Sequence, residues 1–227
     1  MNTIKLALCC AIILILFSIN NLQAQSLHRF YEGGKAGYKD KNEVTIIDAQ
    51  YDQGSKFHEG MAIVVIKKNR GFINSNGEVA IPLKYEDVSQ FSKGIAAAKL
   101  NGQYGYINHM DQWVVEPKYE EAYPMHNGRA RVKLNGQYGF INQKGLEVIP
   151  AIYKNARDFS HGLAPVKTGD NWYYINTQQK VKLKGNYKNA YAFNQNGKAT
   201  VQIQDKYFLM NAHGNILKEL KKEKEEH

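Results

Sequence analysis

The chain has 227 residues, 43% of them hydrophobic and 22% charged, and 30 Lys and Arg against 21 Asp and Glu leave a net charge of +9. That length supports a core of its own, and the apolar fraction excludes a chain too polar to fold. Its two cysteines, Cys9 and Cys10, are adjacent and close to the start, so the rest of the chain has neither a disulfide framework nor thiol chemistry.

Residues 1–24 read as a secretory signal peptide. Lys5 is the only charged side chain before His28 and Arg29, residues 6–19 are a nearly unbroken apolar run, and Asn20, Asn21 and Gln23 follow it. A short positive region, an apolar region and a small residue at the exit are what export requires. Cleavage is expected after Ala24. The apolar run is shorter than the roughly 20 residues that span a bilayer, so the mature chain is expected to have no transmembrane segment and to reside in the periplasm, on the outer surface or outside the cell. Losing Lys5 lowers the net charge from +9 to +8, which favours anionic partner surfaces.

Residues 25–217 form the body of the protein, and they repeat with a period of 34. Tyr51, Tyr85, Tyr119, Tyr153 and Tyr187 fall at that interval, as do Phe57, Phe91, Met125, Phe159 and Phe193. Gly37, Gly71, Gly105 and Gly139 form a glycine ladder that Tyr173 breaks, and Ile47, Ile81, Val115, Ile149 and Leu183 form an apolar one. Asp40, Asn74, Asn108, Asn142 and Asn176 form a polar one, which reaches Asn211 after one inserted residue near Asn196. Several ladders in one register mean a solenoid, a propeller or an array.

The content of the repeat selects β-structure. Residues 129–134, Arg-Ala-Arg-Val-Lys-Leu, alternate polar and apolar, as a half-buried strand does. Asn101-Gly102 and Asn135-Gly136 are two-residue hairpin turns, since both central positions need positive φ. Residues 138–142 are the returning strand, residues 143–145 turn again, and residues 146–150 make a third strand. Each unit is therefore read as a three-stranded antiparallel meander. The linker that follows, Tyr153-x-x-Ala156-x-x-Phe159, has a spacing of three that suits a tight turn. Recurring Asn-Gly pairs and Pro82, Pro117 and Pro150 exclude helical repeats. The last residues, 218–227, alternate Lys and Glu and read as a solvated tail or a short helix.

The pattern F-x-x-G-x-A, then a strand, then G-[YF]-I-N-x-x-G, then I-P-x-x-Y-x-x-A-x-x-F resembles the WG-repeat family. Its best copy runs through Gly128, Ala130, Gly139, Phe140, Asn142, Ile149, Pro150, Tyr153, Ala156 and Phe159. The resemblance covers roughly residues 34–217 and implies a β-rich binding or scaffold protein. One departure stands out: the Trp position holds Arg70, Tyr104, Tyr138, Trp172 and Tyr207, and Trp172 is followed by Tyr173, so no copy carries both letters of the Trp-Gly pair.

A single meander cannot bury its own face, so neighbouring units must stack. The expected fold is all-β, an open superhelix of β-hairpins, with a five- or six-bladed propeller as the alternative. Ala130, Val132 and Leu134 should face the core and Arg129, Arg131 and Lys133 should face out; the Tyr51 and Phe57 ladders are read as packing between units.

The histidines are scattered, without a His-Glu-x-x-His motif, and His58 and His126 occupy equivalent linker positions. Asp52, Glu86 and Glu120 recur as a ladder, which suits a turn device better than a catalytic group. No nucleophile–base arrangement or phosphate-binding glycine loop is legible. The chain is therefore read as a non-enzyme with neither cofactor nor metal, the third alternative being an enzyme whose site is assembled from distant residues. Two features are candidates for ligand binding: the ladder Tyr104, Tyr138, Trp172 and Tyr207, and the cationic positions Arg129, Arg131 and Lys133. The expected partner is an envelope polysaccharide or another anionic surface, or else a protein; export argues against nucleic acid.

Overall fold

The computed structural model describes residues 27–220. The expected signal, residues 1–24, and residues 221–227 of the expected tail lie outside the described residues. Everything regular within them is β-strand, from His28–Glu32 to Ile216–Leu220, arranged in five antiparallel sheets. The chain divides into two compact units, one ending at Leu83 and the other starting at Lys84.

The hairpins fold as their turn residues dictate. Asn101 and Gly102 take φ of 51° and 81°, and Asn135 and Gly136 take 51° and 74°, the left-handed pair that a tight hairpin turn needs. The same geometry closes the bend before four of the hairpins, at Glu59-Gly60, Lys93-Gly94, Asn127-Gly128 and His161-Gly162. The polar ladder makes the third turn. Asn108 Oδ1 accepts the backbone N–H groups of Met110 and Gln112 at 2.9 and 3.0 Å, and Asn142 Oδ1 accepts those of Lys144 and Leu146 at 2.9 and 3.1 Å. A side-chain amide thus replaces a strand's missing partner just where the chain reverses. The inserted residue near Asn196 is absorbed the same way, since Asn194 caps Asn196 and Lys198.

The glycine ladder has a different cause. Gly105 and Gly139 are not at positive φ; a Cβ on Gly139 would lie 2.6 Å from Ala151 N and 2.7 Å from Ile149 O. The third strand bulges there, with a register shift between the pairs Tyr138–Tyr153 and Phe140–Ile149, and its backbone takes the space of a side chain. Where Tyr173 breaks the ladder, it pairs with Lys184, and the glycine stands across the strand at Gly185.

The linker is not the tight turn its spacing suggests. Gln53–Gly54, Asp87–Val88, Glu121–Ala122 and Asn155–Ala156 are two-residue strands that pair with the first strand of the next hairpin. Three of the units are therefore four-stranded antiparallel meanders, one strand longer than expected, while the first sheet, from His28–Glu32 to Thr45–Tyr51, is three-stranded. The recurring acid explains why: Glu86 Oε1 and Glu120 Oε1 each accept the backbone N–H of the hairpin glycine, Gly102 and Gly136, at 2.9 Å, which draws the linker alongside the hairpin. The last two units merge into one seven-stranded sheet through the long strand Val181–Ala190. The expected tail is also corrected, because Lys218, Glu219 and Leu220 belong to the final strand, paired with Tyr207, Phe208 and Leu209.

Cores lie between successive repeats. Ile95, Ala97, Tyr106 and Val115 of one repeat pack with Tyr119, Met125, Ala130, Val132 and Ile141 of the next. Phe140, Ile149, Tyr153 and Ala156 pack with Phe159, Ala164, Val166 and Ile175 in the same way. In the first compact unit Ala36, Tyr38, Ile47 and Tyr51 pack with Ala62, Val64 and Ile73. The tyrosine ladder is core throughout, from Tyr85 at 0% exposure to Tyr187 at 7%.

Candidate functional site

The aromatic ladder and one of the predicted cations, Lys133, belong to one structure. In the cross-strand register Tyr104 stands between Lys99 and Tyr119, Tyr138 between Lys133 and Tyr153, and Trp172 between Lys167 and Tyr187. The aromatic ladder and the lysines therefore form a single layer, in which the Lys99 and Lys133 ammonium groups each lie 5.4 Å from the neighbouring ring.

This layer is tied to its own protein. The Tyr104 hydroxyl donates to Asp87 Oδ2 at 2.7 Å, and the Tyr138 hydroxyl to Glu121 Oε2 at 2.9 Å. Tyr123 and Lys133 also donate to Glu121, at 2.7 and 2.9 Å. Burial pushes the Glu121 carboxyl up, but the hydrogen bonds from Tyr123, Lys133 and Tyr138 outweigh it and leave the group below its ordinary value. Tyr123 is pushed up to about 12 by burial and by its bond to Glu121. Trp172 is 4% exposed and therefore core, with the Arg157 guanidinium 5.3 Å from its ring. Tyr207 and Arg70 are half-buried. The ladder does not run along the surface as a free aromatic row.

The cationic positions are not an outward stripe. Arg131 stands where neighbouring repeats bury Ala97 and Pro165. Its guanidinium lies 3.7 Å from the centre of the Tyr123 ring, and it donates to Asp158 Oδ1 at 3.0 Å and to the Ala156 carbonyl at 2.6 Å. It thus locks one hairpin to the following linker. Arg129 stands where Ile95 and Leu163 are buried and donates to the Gly128 carbonyl at 2.9 Å. Sequence alternation assigned these side chains to solvent because it counts one covered face, whereas the strands Ile95–Leu100 and Leu163–Thr168 begin with four consecutive buried residues.

Concave sites recur beside the linkers of the second compact unit. One of about 330 Å³ is lined by Asp87, Ser89, Tyr104, Glu121, Tyr123 and Pro124. Another, of about 450 Å³, lies between residues 155–158 and 191–192, with Arg131 at its side. A third, of about 390 Å³, follows at Tyr191, Asn194, Thr200, Tyr207 and Leu220.

A further cleft, of about 590 Å³, has a different lining. It sits where the repeat breaks and is lined by Thr168, Asn171, Trp172, Tyr173, Val181, Lys184, Gly185 and Asn186. Sequence reading passed over it, although the signal was present in the replacement of a ladder glycine by Tyr173.

Matches to the repeat model described as WG containing repeat fall at residues 37–69, 71–104, 104–138, 138–172 and 174–207. The chain belongs to the WG-containing repeat family. In these WG repeats the Trp position is the cross-strand layer described above, and its Gly partner is the bulge glycine. The search of curated proteins gave no match to the sequence. Among solved structures, a eukaryotic initiation factor is similar at a TM-score of 0.55 and 10% identity, over 86% of this chain and 62% of its own. Hsv2 of Kluyveromyces marxianus is similar at a TM-score of 0.50 and 8% identity, over 82% and 66%. Hsv2 of Kluyveromyces lactis aligns at a TM-score of 0.49 and 10% identity, over 71% of this chain and 59% of its own. The first structures matched are longer than this chain, which covers 59–62% of them. At such identities the likeness concerns the fold alone, an array of antiparallel β-units. Among the described residues no group of three His, Cys, Asp or Glu side chains gathers as a metal site, and no helix is long and apolar enough to cross a membrane.

Proposed function

We propose that this WG-repeat protein is an exported, non-enzymatic binding module whose ligand is a polysaccharide of the cell envelope. The observation that carries this reading is the recurrence of clefts beside the linkers of the array. Several pockets along one array of repeats suit a ligand that itself repeats, because several weak contacts along one polymer add up to avidity. The pockets combine tyrosine rings with carboxylate, hydroxyl and amide groups, a lining that accepts a polar ligand with apolar faces. Export rests on the apolar segment 6–19 with its flanking residues.

A protein partner is the second reading. It is favoured by the final strand Ile216–Leu220, which pairs on one side with Lys206–Asn211 and carries exposed Ile216 and Leu217. Such an edge suits addition of an extended peptide.

The test is retention of purified mature protein on insoluble peptidoglycan and on immobilised envelope polysaccharide, beside immobilised envelope protein. Retention on glycan alone is expected; retention on protein alone transfers the role to the second reading. Mass spectrometry of protein from its native host should give Gln25 as the first residue, and an intact Met1 would refute export.

A further inference from the structure

Most polar side chains in the repeats are already used. Asn108, Asn142 and Asn176 hold turns, Glu86, Glu120 and Glu121 hold linkers, and Arg131 and Lys133 are paired. The cleft at the break of the repeat is the exception. Thr168, Asn171, Lys184 and Asn186 line it, all four are exposed, and none makes a side-chain hydrogen bond or ion pair within the described residues. These side chains offer donors and acceptors that nothing in the fold requires.

Their surroundings are also particular to this repeat. Tyr173 projects a ring where four earlier repeats have glycine, and it is held in place. Its ring meets Tyr153 edge-on at 6.4 Å between centroids, and Gln179 Nε2 donates to the Tyr153 hydroxyl at 3.1 Å. Gly185, across the strand, keeps the opposite wall free of a side chain; a Cβ there would lie 2.6 Å from the Tyr187 ring. Lys184 is the direct cross-strand partner of Tyr173. A fixed aromatic ring, three neutral hydrogen-bonding side chains and one unpaired ammonium therefore meet at a cleft of about 590 Å³, within the range of small-ligand sites.

We propose that this cleft is a saccharide subsite that takes a sugar ring carrying a carboxylate. The C–H face of a pyranose covers the Tyr173 ring, its hydroxyls bond Thr168, Asn171 and Asn186, and its carboxylate meets Lys184. The ammonium selects the acidic sugar over the neutral one, since a charge-assisted bond is worth more than a neutral one. This subsite deepens the polysaccharide reading above and rests on it for its biological context.

The experiment is a fluorescence titration of the mature Trp113→Phe protein, in which Trp172, in the wall of the cleft, is the one remaining tryptophan. Trigalacturonic acid and neutral maltotriose are the probes. Trigalacturonic acid should give a saturable change, and maltotriose should bind at least about tenfold more weakly, the factor that one charge-assisted bond supplies. Lys184→Gln should remove that preference. Tyr173→Gly, which installs the residue of the other repeats, should abolish the response while leaving the circular dichroism spectrum unchanged; Asn186→Ala, at an exposed position, provides a second variant independent of the strand pairing. No saturable response to trigalacturonic acid, equal affinity for maltotriose, or a response unchanged in both Tyr173→Gly and Lys184→Gln would each overturn the subsite. Retention on peptidoglycan without a trisaccharide response overturns the subsite and keeps the wider reading; the reverse keeps the subsite and overturns the envelope role.

Discussion

Replacing Gly139 by alanine isolates the reason for the glycine ladder. The added methyl would stand 2.6 Å from Ala151 N, 2.7 Å from Ile149 O and 2.8 Å from Ala151 Cα, all backbone atoms. A flexible side chain could swing away, but here the strand Glu147–Tyr153 must move, and it is anchored by Ile149 and Tyr153, which are 0% and 3% exposed. Overpacking of a rigid interior costs about 1–3 kcal/mol, and a collision with backbone on two residues belongs at the upper end, about 3 kcal/mol. For a domain of this size each kcal/mol moves the melting temperature by about 2–4 °C, so a fall of roughly 6–12 °C is expected. Gly128→Ala is the control: its φ is +74° and nothing lies within 4 Å of its added methyl, which leaves only the left-handed backbone cost of about 1–2 kcal/mol. Thermal melts followed by circular dichroism compare the two. If Gly139→Ala melts within about 2 °C of the parent, or above Gly128→Ala, then backbone approach at the bulge does not account for the ladder.

Asn142→Ala removes two side-chain-to-backbone bonds at a turn and should cost about 1–2 kcal/mol in urea denaturation; no loss would mean that water replaces the amide. Burial pushes the phenols of Tyr38 and Tyr123 from 10.0 up to about 12. A pKa raised in the folded state leaves stability intact below pH 10 and removes it as pH rises from 10 through 12, so the urea midpoint should be flat up to about pH 9 and fall above about pH 10; a flat midpoint through pH 11 would refute the burial of these phenols. Deleting residues 85–118 joins Lys84 to Tyr119, the counterpart of Tyr85, and keeps every later ladder in register. An open, neighbour-only array should still melt cooperatively after this deletion, whereas deleting residues 85–101 leaves a hairpin strand without its partner; equal damage from both would favour a closed ring.

What was legible in the sequence was whatever a period and a turn residue can carry. The ladders located the repeats, Asn135-Gly136 located the hairpin, and alternation located Ala130 and Val132 in the core. Alternation misjudged Arg131 because it reports one covered face, while the neighbouring linker covers the other. Here an arginine takes the place of Ala97 or Pro165 by stacking on Tyr123 and bonding Asp158, and neither partner can be inferred from local pattern. The linker strands were missed for a related reason. Two residues are too few to show alternation, and what places them beside the hairpin is a long-range bond such as Glu120 to Gly136.

The same division of labour bears on where binding can reside. Ladder residues are fixed by duties internal to the fold: glycine for a bulge, asparagine for a turn, acid for a hairpin N–H, tyrosine for the core between repeats. A residue so committed cannot change to suit a ligand without loss of stability. In the fifth repeat one duty has moved, because the bulge glycine stands at Gly185 and not at residue 173. That transfer frees position 173 for a tyrosine ring beside a cleft of about 590 Å³, edged by polar groups without internal partners. Single exchanges at Thr168, Asn171, Lys184 and Asn186 should therefore be nearly neutral for folding, as exposed positions usually are. Exchanges at Asn142 or Glu120 should not. Binding that followed the second pair and ignored the first would place the ligand on the repeated layer instead of at its interruption.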